Sequence, residues 1–176
     1  MRKDKRTMSK EQREKVKEKR AIKKTFTLLF VIFSLLFTKS PLFSQTADRL
    51  ETLLQQEQVS YKDAALLVLE AAGHLDPAKQ TSADDAFSFA AGRGWLPKGV
   101  SANNAARLNG LSLLVMQAFD INGGALFSLF KNPHYAYRAM TYRGIIQGRS
   151  DPQMPVSGDL LLYTVNRAMD QTTDSK

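Results

Sequence analysis

The feature that most constrains this chain is that it repeats itself. Val59-Ser60, Leu108-Asn109 and Val156-Ser157 follow one another at spacings of 49 and 48 residues. Apolar residues come after each at three- and four-residue steps. They are Ala64, Leu67, Val68 and Ala71, then Leu111, Leu114, Val115 and Ala118, then Leu161, Leu162, Val165 and Met169. Such steps put one apolar face on a helix. A unit with one apolar face buries it only by packing on its neighbours, so a repeat of this period predicts a stacked helical body.

The shared dipeptide has a local meaning. Ser and Asn are N-cap residues, whose side-chain oxygen accepts a bond from a free N–H of the first helical turn. The apolar residue before each cap is positioned to staple onto a residue inside the helix: Val59 on Ala64, Leu108 on Leu113, Val156 on Leu161. Asp63 adds a capping box to Ser60, as does Asp85 to Ser82. A second type of helix precedes two of the capped ones. One starts at Ser82, carries Ala86, Phe89 and Ala90, and stops at Gly94. The other starts at Asn132-Pro133, carries Ala136, Ala139 and Met140, and stops at Gly144. Pro suits a first turn and Gly a left-handed C-terminal position. An opening helix over 47–56, with Leu50, Leu53 and Leu54, is the expected partner of the first capped helix. The expected fold is all-α: two to three stacked helical hairpins over about 45–170, after an N-terminal hydrophobic helix and before a polar tail at 171–176.

The stretch Gly144-Ile145-Ile146-Gln147-Gly148-Arg149-Ser150-Asp151-Pro152, with Pro155-Val156-Ser157 after it, resembles the S-layer homology repeat. That repeat runs from a helix into a Gly-Ile-Ile/Val-x-Gly turn, a Pro-containing loop and an Ile/Val-Thr-Arg-x-Glu helix start. The resemblance spans residues 59–170 as one partial and two fuller copies. The family's Thr-Arg-x-Glu appears here as Ser60-Tyr61-Lys62-Asp63, Asn109-Gly110-Leu111-Ser112 and Ser157-Gly158-Asp159-Leu160, with no Arg in any of them. The resemblance implies stacked helical hairpins and binding to cell-wall glycan.

The charge of the chain is segregated. Residues 1–24 hold twelve Lys/Arg and four Asp/Glu, which accounts for the whole net charge of +8, and residues 25–176 are neutral. Residues 25–37 are uncharged and mostly apolar, and Lys39 and Pro41 end the run. A basic region at 1–24 followed by an apolar segment at 25–44 is laid out as a secretory signal. Lys and Arg stay on the cytoplasmic side, so the body is expected outside the inner membrane, in the periplasm or cell envelope. Cleavage after Ser44 and a retained membrane anchor are both open, since thirteen apolar residues fall short of the ~20 that span a bilayer. A buried core helix is a third reading. Met8 is a second candidate start. A nucleic-acid-binding arm is disfavoured, because the basic residues abut an apolar run without interleaved aromatics.

Cysteine is absent and only His74 and His134 occur, which excludes disulfides, thiolate chemistry and a multi-histidine metal site. No catalytic, metal or cofactor motif is present. Asp84 and Asp85 read as first-turn acids that favour the helix dipole. The candidate ligand site is a groove between units, lined by Arg93, Trp95 and Lys98 on one side and Tyr135, Arg138, Tyr142, Arg143 and Arg149 on the other. Aromatic faces beside guanidinium groups suit a sugar ring with an anionic substituent. The run Ala125–Phe130 is either core filler or an exposed patch. Two functions follow: an exported, non-catalytic envelope protein that binds wall glycan or an envelope partner, and a membrane-anchored scaffold with a protein-binding body.

Overall fold

The computed structural model describes residues 42–76, 79, 81–148 and 150–173. The basic region at 1–24, the apolar run at 25–37 and Arg149 lie outside the described residues. The chain divides into units at 1–46 and 47–176, and the fold below is that of the second.

Among the described residues seven helices form: α1 Leu42–Leu54, α2 Tyr61–Ala71, α3 Ala83–Gly92, α4 Leu108–Ala118, α5 Gly124–Phe130, α6 Pro133–Tyr142 and α7 Gly158–Thr173. Among the described residues the fold is all-α, with extended pairing reduced to two isolated antiparallel bridges, Ser60 with Ala105 and Arg107 with Pro155.

Those bridges belong to a closed ring. The Val59 N–H donates to the Val156 carbonyl at 2.8 Å, Val156 to Ala106 at 2.9 Å, and Ala106 back to Val59 at 2.8 Å. None of the three residues has any exposed surface. A buried peptide group without a partner costs about 1–3 kcal/mol, so the ring holds three extended segments at one point. A capped helix leaves each segment: α2 after Ser60, α4 after Arg107, α7 after Ser157. Their first N–H groups take carbonyls from a neighbouring segment: Tyr61 from Asn104 at 3.0 Å, Leu108 from Met154 at 3.1 Å, Gly158 from Gln56 at 3.0 Å. Ser60 and Ser157 accept from Asp63 and Leu160 N–H, each at 3.3 Å, as their cap chemistry requires.

The second copy departs from the expected register by two residues. Ala106-Arg107, not Leu108-Asn109, is the equivalent of Val59-Ser60. Arg107 is the N-cap, extended at φ −100° and ψ 151°, with no side-chain cap bond. Asn109 is the second residue of α4, and its N–H is taken by the Pro152 carbonyl at 2.9 Å. The Ala102 carbonyl serves the Lys62 N–H in the same way at 3.0 Å, so Asn109 stands one residue inside α4, is not a cap, and the Leu108–Leu113 staple falls with it.

Helices α2, α4 and α7 contact one another, α3 packs on α2, and α6 packs on α4. Each outer helix therefore lies on the capped helix that precedes it in sequence. Helix α4 is uncharged and buried on nearly every side, the pattern of a central element. Its Ser112 is satisfied by the Leu108 carbonyl at 2.7 Å. The outer helices show fixed correspondences at a 50-residue offset. Ser82 and Asn132 cap them; Ala86 and Ala90 match Ala136 and Met140 as their buried residues. Gly94 and Gly144 end them, both at φ 71°. Only glycine adopts that conformation without strain, and it lets Trp95 and Ile145 N–H reach back to Ala90 and Met140, at 3.0 and 2.9 Å.

Helix α1 begins at Leu42, before the expected start, and Leu50 and Leu54 stay 38 % and 41 % exposed. It meets the body at its end, where a Cβ on Gly158 would overlap the Leu53 carbonyl oxygen, and through Arg49, whose Nη1 lies 3.8 Å from a Glu70 carboxylate oxygen on α2. At the other terminus α7 continues through Thr173, so residues 171–173 are helical rather than tail. Ala125–Phe130 is helical, with Phe127 alone of its large side chains buried.

Two glycines carry a stability prediction. A methyl at Gly110 would collide with the Tyr61 hydroxyl and touch the Pro97 ring, and one at Gly158 would collide with backbone. Gly110→Ala is expected to cost about 1–3 kcal/mol, the usual range for overpacking, and Gly158→Ala more, because backbone gives less than a side chain. Urea unfolding followed by far-ultraviolet circular dichroism measures both; equal stability to the parent chain would show that the body yields freely at these points.

Candidate functional site

The two sets of residues singled out in the sequence have separate environments. Arg93 caps the end of α3, with its guanidinium carbon 4.2 Å above the Phe89 ring centroid and 5.1 Å from that of Trp95. Trp95 is half-buried against His74, at 5.0 Å between centroids, and meets Phe89 edge-on at 6.0 Å. His74 Nε2 lies 2.7 Å from the Ala118 carbonyl oxygen, which a protonated Nε2 satisfies. His74 is thus a loop residue that clasps the ends of α2 and α4 under Trp95. Lys98 is exposed. This corner is a packed aromatic cluster roofed by a cation.

On α6, Tyr135 is half-buried and stacked on Phe130, with centroids 5.5 Å apart and planes 26° apart. His134 meets Tyr135 edge-on at 5.3 Å. Arg138, Tyr142 and Arg143 are exposed, Tyr142 at 94 %. The Tyr137 hydroxyl, absent from the sequence-based set, donates to the Ser150 carbonyl and ties α6 to the following loop. Among the described residues no hydrogen bond, ion pair or ring contact joins the Arg93–Trp95–Lys98 set to the Tyr135–Arg138–Tyr142–Arg143 set. The two sit on outer helices that pack on different central helices.

The structure adds a cleft that the sequence reading missed. It has a volume of about 330 Å³ and is lined by Gln58, Asn104, Ala105, Arg107, Gln153 and Pro155. Gln58, Ala105 and Pro155 each immediately precede a residue of the backbone ring, so the cleft lies where the three extended segments meet. Its one charged group, Arg107, is exposed and donates from Nη1 to the Gln153 carbonyl at 2.9 Å. A guanidinium carries five N–H donors, so this bond leaves others of an exposed side chain for a ligand. The helix starts offer little more, because most first-turn N–H groups already have carbonyl or Ser partners. Neither sequence-based set lines this cleft.

Beneath it, Tyr61 is buried, and the Arg107 N–H donates to its hydroxyl at 3.4 Å. Burial pushes the phenol above its ordinary value of 10.0, partly offset by that bond and by the Arg107 charge. Among the described residues no group of three or more His, Asp and Glu is placed to hold a metal ion. No family model, curated protein or solved structure matches this chain.

Two predictions come from these contacts. With Tyr61 raised in the folded state, the unfolded chain loses its proton first. The Tyr61 contribution to stability is therefore constant below about pH 10 and declines as pH rises from there through the folded value. Tyr61→Phe removes that decline, which chemical denaturation across pH 8–12 measures as the difference from the parent chain. Trp95 is the single tryptophan, so its emission reports the aromatic corner. His74→Ala is expected to shift it to the red and to lower stability by about 1 kcal/mol, the worth of one such bond; unchanged emission would mean that His74 does not cover the indole.

Proposed function

We propose that this chain is an exported, non-catalytic cell-envelope protein whose helical body is built from S-layer-homology-like repeats and binds wall glycan. What supports the repeat reading is the sequence resemblance, taken with three capped helices that leave one backbone ring and two outer helices that match at a 50-residue offset. On this reading the copies run along the sequence as one partial, α1 with α2, and two fuller, α3 with α4 and α6 with α7, while in the fold the outer helices α3 and α6 pack on α2 and α4 of the preceding copies.

The observation that carries the ligand reading is the cleft at the meeting point of the three segments. One guanidinium among Gln58, Asn104 and Gln153 offers directional amide bonds to hydroxyls and a single charged anchor. That is the chemistry of a sugar bearing an anionic substituent. Arg107 takes the anchoring role, and the outer sets around Trp95 and Arg138 are secondary surfaces. Export rests on the basic and apolar residues 1–37, with the mature chain starting after Ser44 or the segment kept as an anchor.

The uncharged, mostly apolar residues 25–37 favour a second reading, an inner-membrane-anchored scaffold whose body holds an envelope protein.

Sedimentation with purified wall sacculi separates these. The parent chain is expected to co-sediment. Arg107→Ala is expected to weaken binding about tenfold, as loss of one charged hydrogen bond does, while keeping its circular dichroism. Arg138→Ala is expected to bind as the parent does. No sedimentation of the parent chain would remove the glycan reading, and Arg138 dependence without Arg107 dependence would move the site to α6. Intact mass of the native protein, read against a start after Ser44, decides between signal and anchor.

A further inference from the structure

Helix α5 has an outward apolar stripe. Leu126, Leu129 and Phe130 stand at i, i+3 and i+4, and are 54 %, 73 % and 54 % exposed, whereas Phe127, at the edge of this stripe, is 5 % exposed. The stripe does not end with the helix. Phe130 stacks on Tyr135, and His134, Arg138 and Tyr142 continue at i, i+4 and i+8 along the exposed side of α6. Lys131, between the helices, is exposed at φ 38°, a left-handed conformation that sharply turns the chain.

The charge of this region is one-sided. Residues 121–150 contain Lys131, Arg138, Arg143 and Arg149 and no Asp or Glu, although residues 25–176 as a whole are neutral. The nearest preceding acid, Asp120, lines a groove of about 490 Å³ beneath α5 with Ile121, Phe127 and Lys131. An exposed Leu/Phe stripe with an excess of cations near it, Lys131, Arg138 and Arg143 against Asp120, matches a bilayer surface carrying anionic headgroups: apolar side chains enter the headgroup–acyl boundary while Lys and Arg meet phosphate. A protein partner would have to supply a shaped apolar pocket and acids together; an anionic bilayer supplies both without a matched shape.

We infer that the α5–α6 face is a membrane-docking surface selective for anionic lipid. It holds the body against the bilayer through Leu126, Leu129 and Phe130, with Lys131 and Arg138 setting the lipid preference. The inference rests on charge and exposure in the body, and does not depend on the glycan reading.

Residues 1–37 bring the full chain to vesicles on their own account, so the test reads the face locally. The chain is free of cysteine, and Leu129→Cys therefore takes a polarity-sensitive fluorophore at one place. Asp84→Cys, in the exposed first turn of α3, is the control. Both full-length proteins are mixed with vesicles of phosphatidylcholine alone, and of phosphatidylcholine with phosphatidylglycerol. The position-129 probe is expected to shift to the blue and brighten several-fold only with phosphatidylglycerol, and the position-84 probe to stay water-like. Adding Arg138→Gln to the 129 probe is expected to lower the docked-to-undocked ratio about fivefold. Salt at about 1 M, where charges are screened beyond about 3 Å, is expected to reverse docking. A water-like 129 probe on phosphatidylglycerol vesicles, or an equal shift on phosphatidylcholine alone, overturns the inference. A shift that appears without lipid, or vanishes when more lipid dilutes the protein on the surface, overturns it in favour of contact between copies of the chain.

Discussion

Three backbone hydrogen bonds hold this body in register. Val59, Ala106 and Val156 each give one N–H and one carbonyl to a ring from which water is excluded. Net, each bond is worth about 0.5–1.5 kcal/mol, and together they stabilise the body only modestly. Their larger effect is specificity. Shifting any segment by one residue would strand buried donors and acceptors on the other two, because no segment is long enough to re-pair as a strand. Apolar burial draws the three central helices together, and the ring fixes where along the chain each begins.

That division explains which parts of the fold were legible in the sequence. Ser60, Ser82, Asn132 and Ser157 act within their own turns, so residue type and spacing were enough to find them. Gly94 and Gly144 are equally local, since a positive φ is a property of one residue. Asn109 misled because it has cap chemistry but is the second residue of α4, held there with its own N–H on the Pro152 carbonyl. Nothing within a turn of Asn109 reveals a carbonyl 43 residues away. The order of packing was hidden for a like reason: α3 carries the same caps whether it lies on α2 or α4, and its small buried face of Ala86 and Ala90 does not name a partner.

The candidate sites divide in the same way. Tyr135, Arg138 and Tyr142 were legible as neighbours because helix periodicity alone brings them together. Arg93 and Trp95 were legible as a pair, though not their roof over Phe89 and His74, which needs the end of α2. Arg107 was missed outright. Its cleft is assembled from residues near 58, 105 and 154, and no single window contains more than half of it. The one local signal was Arg107 itself, the single charge in the stretch 99–119.

The ring is nearly regular, but what fills it is not. The first helical residues after it are Tyr61, Leu108 and Gly158, one large, one intermediate and one with no side chain. Tyr61 reaches across to the Arg107 N–H and needs Gly110 bare to do so. Gly158 leaves the space that the end of α1 occupies. The residues at the cap itself are Ser60, Arg107 and Ser157, so the shared cleft carries one cation where strict repetition would give three or none. A repeated frame with unequal contents behaves differently from an array: one corner carries Arg107, one leaves room for the end of α1, and the central helices are not interchangeable. The irregularity thus makes a three-cornered scaffold into a body whose corners differ, with Arg107 in the cleft at their meeting point.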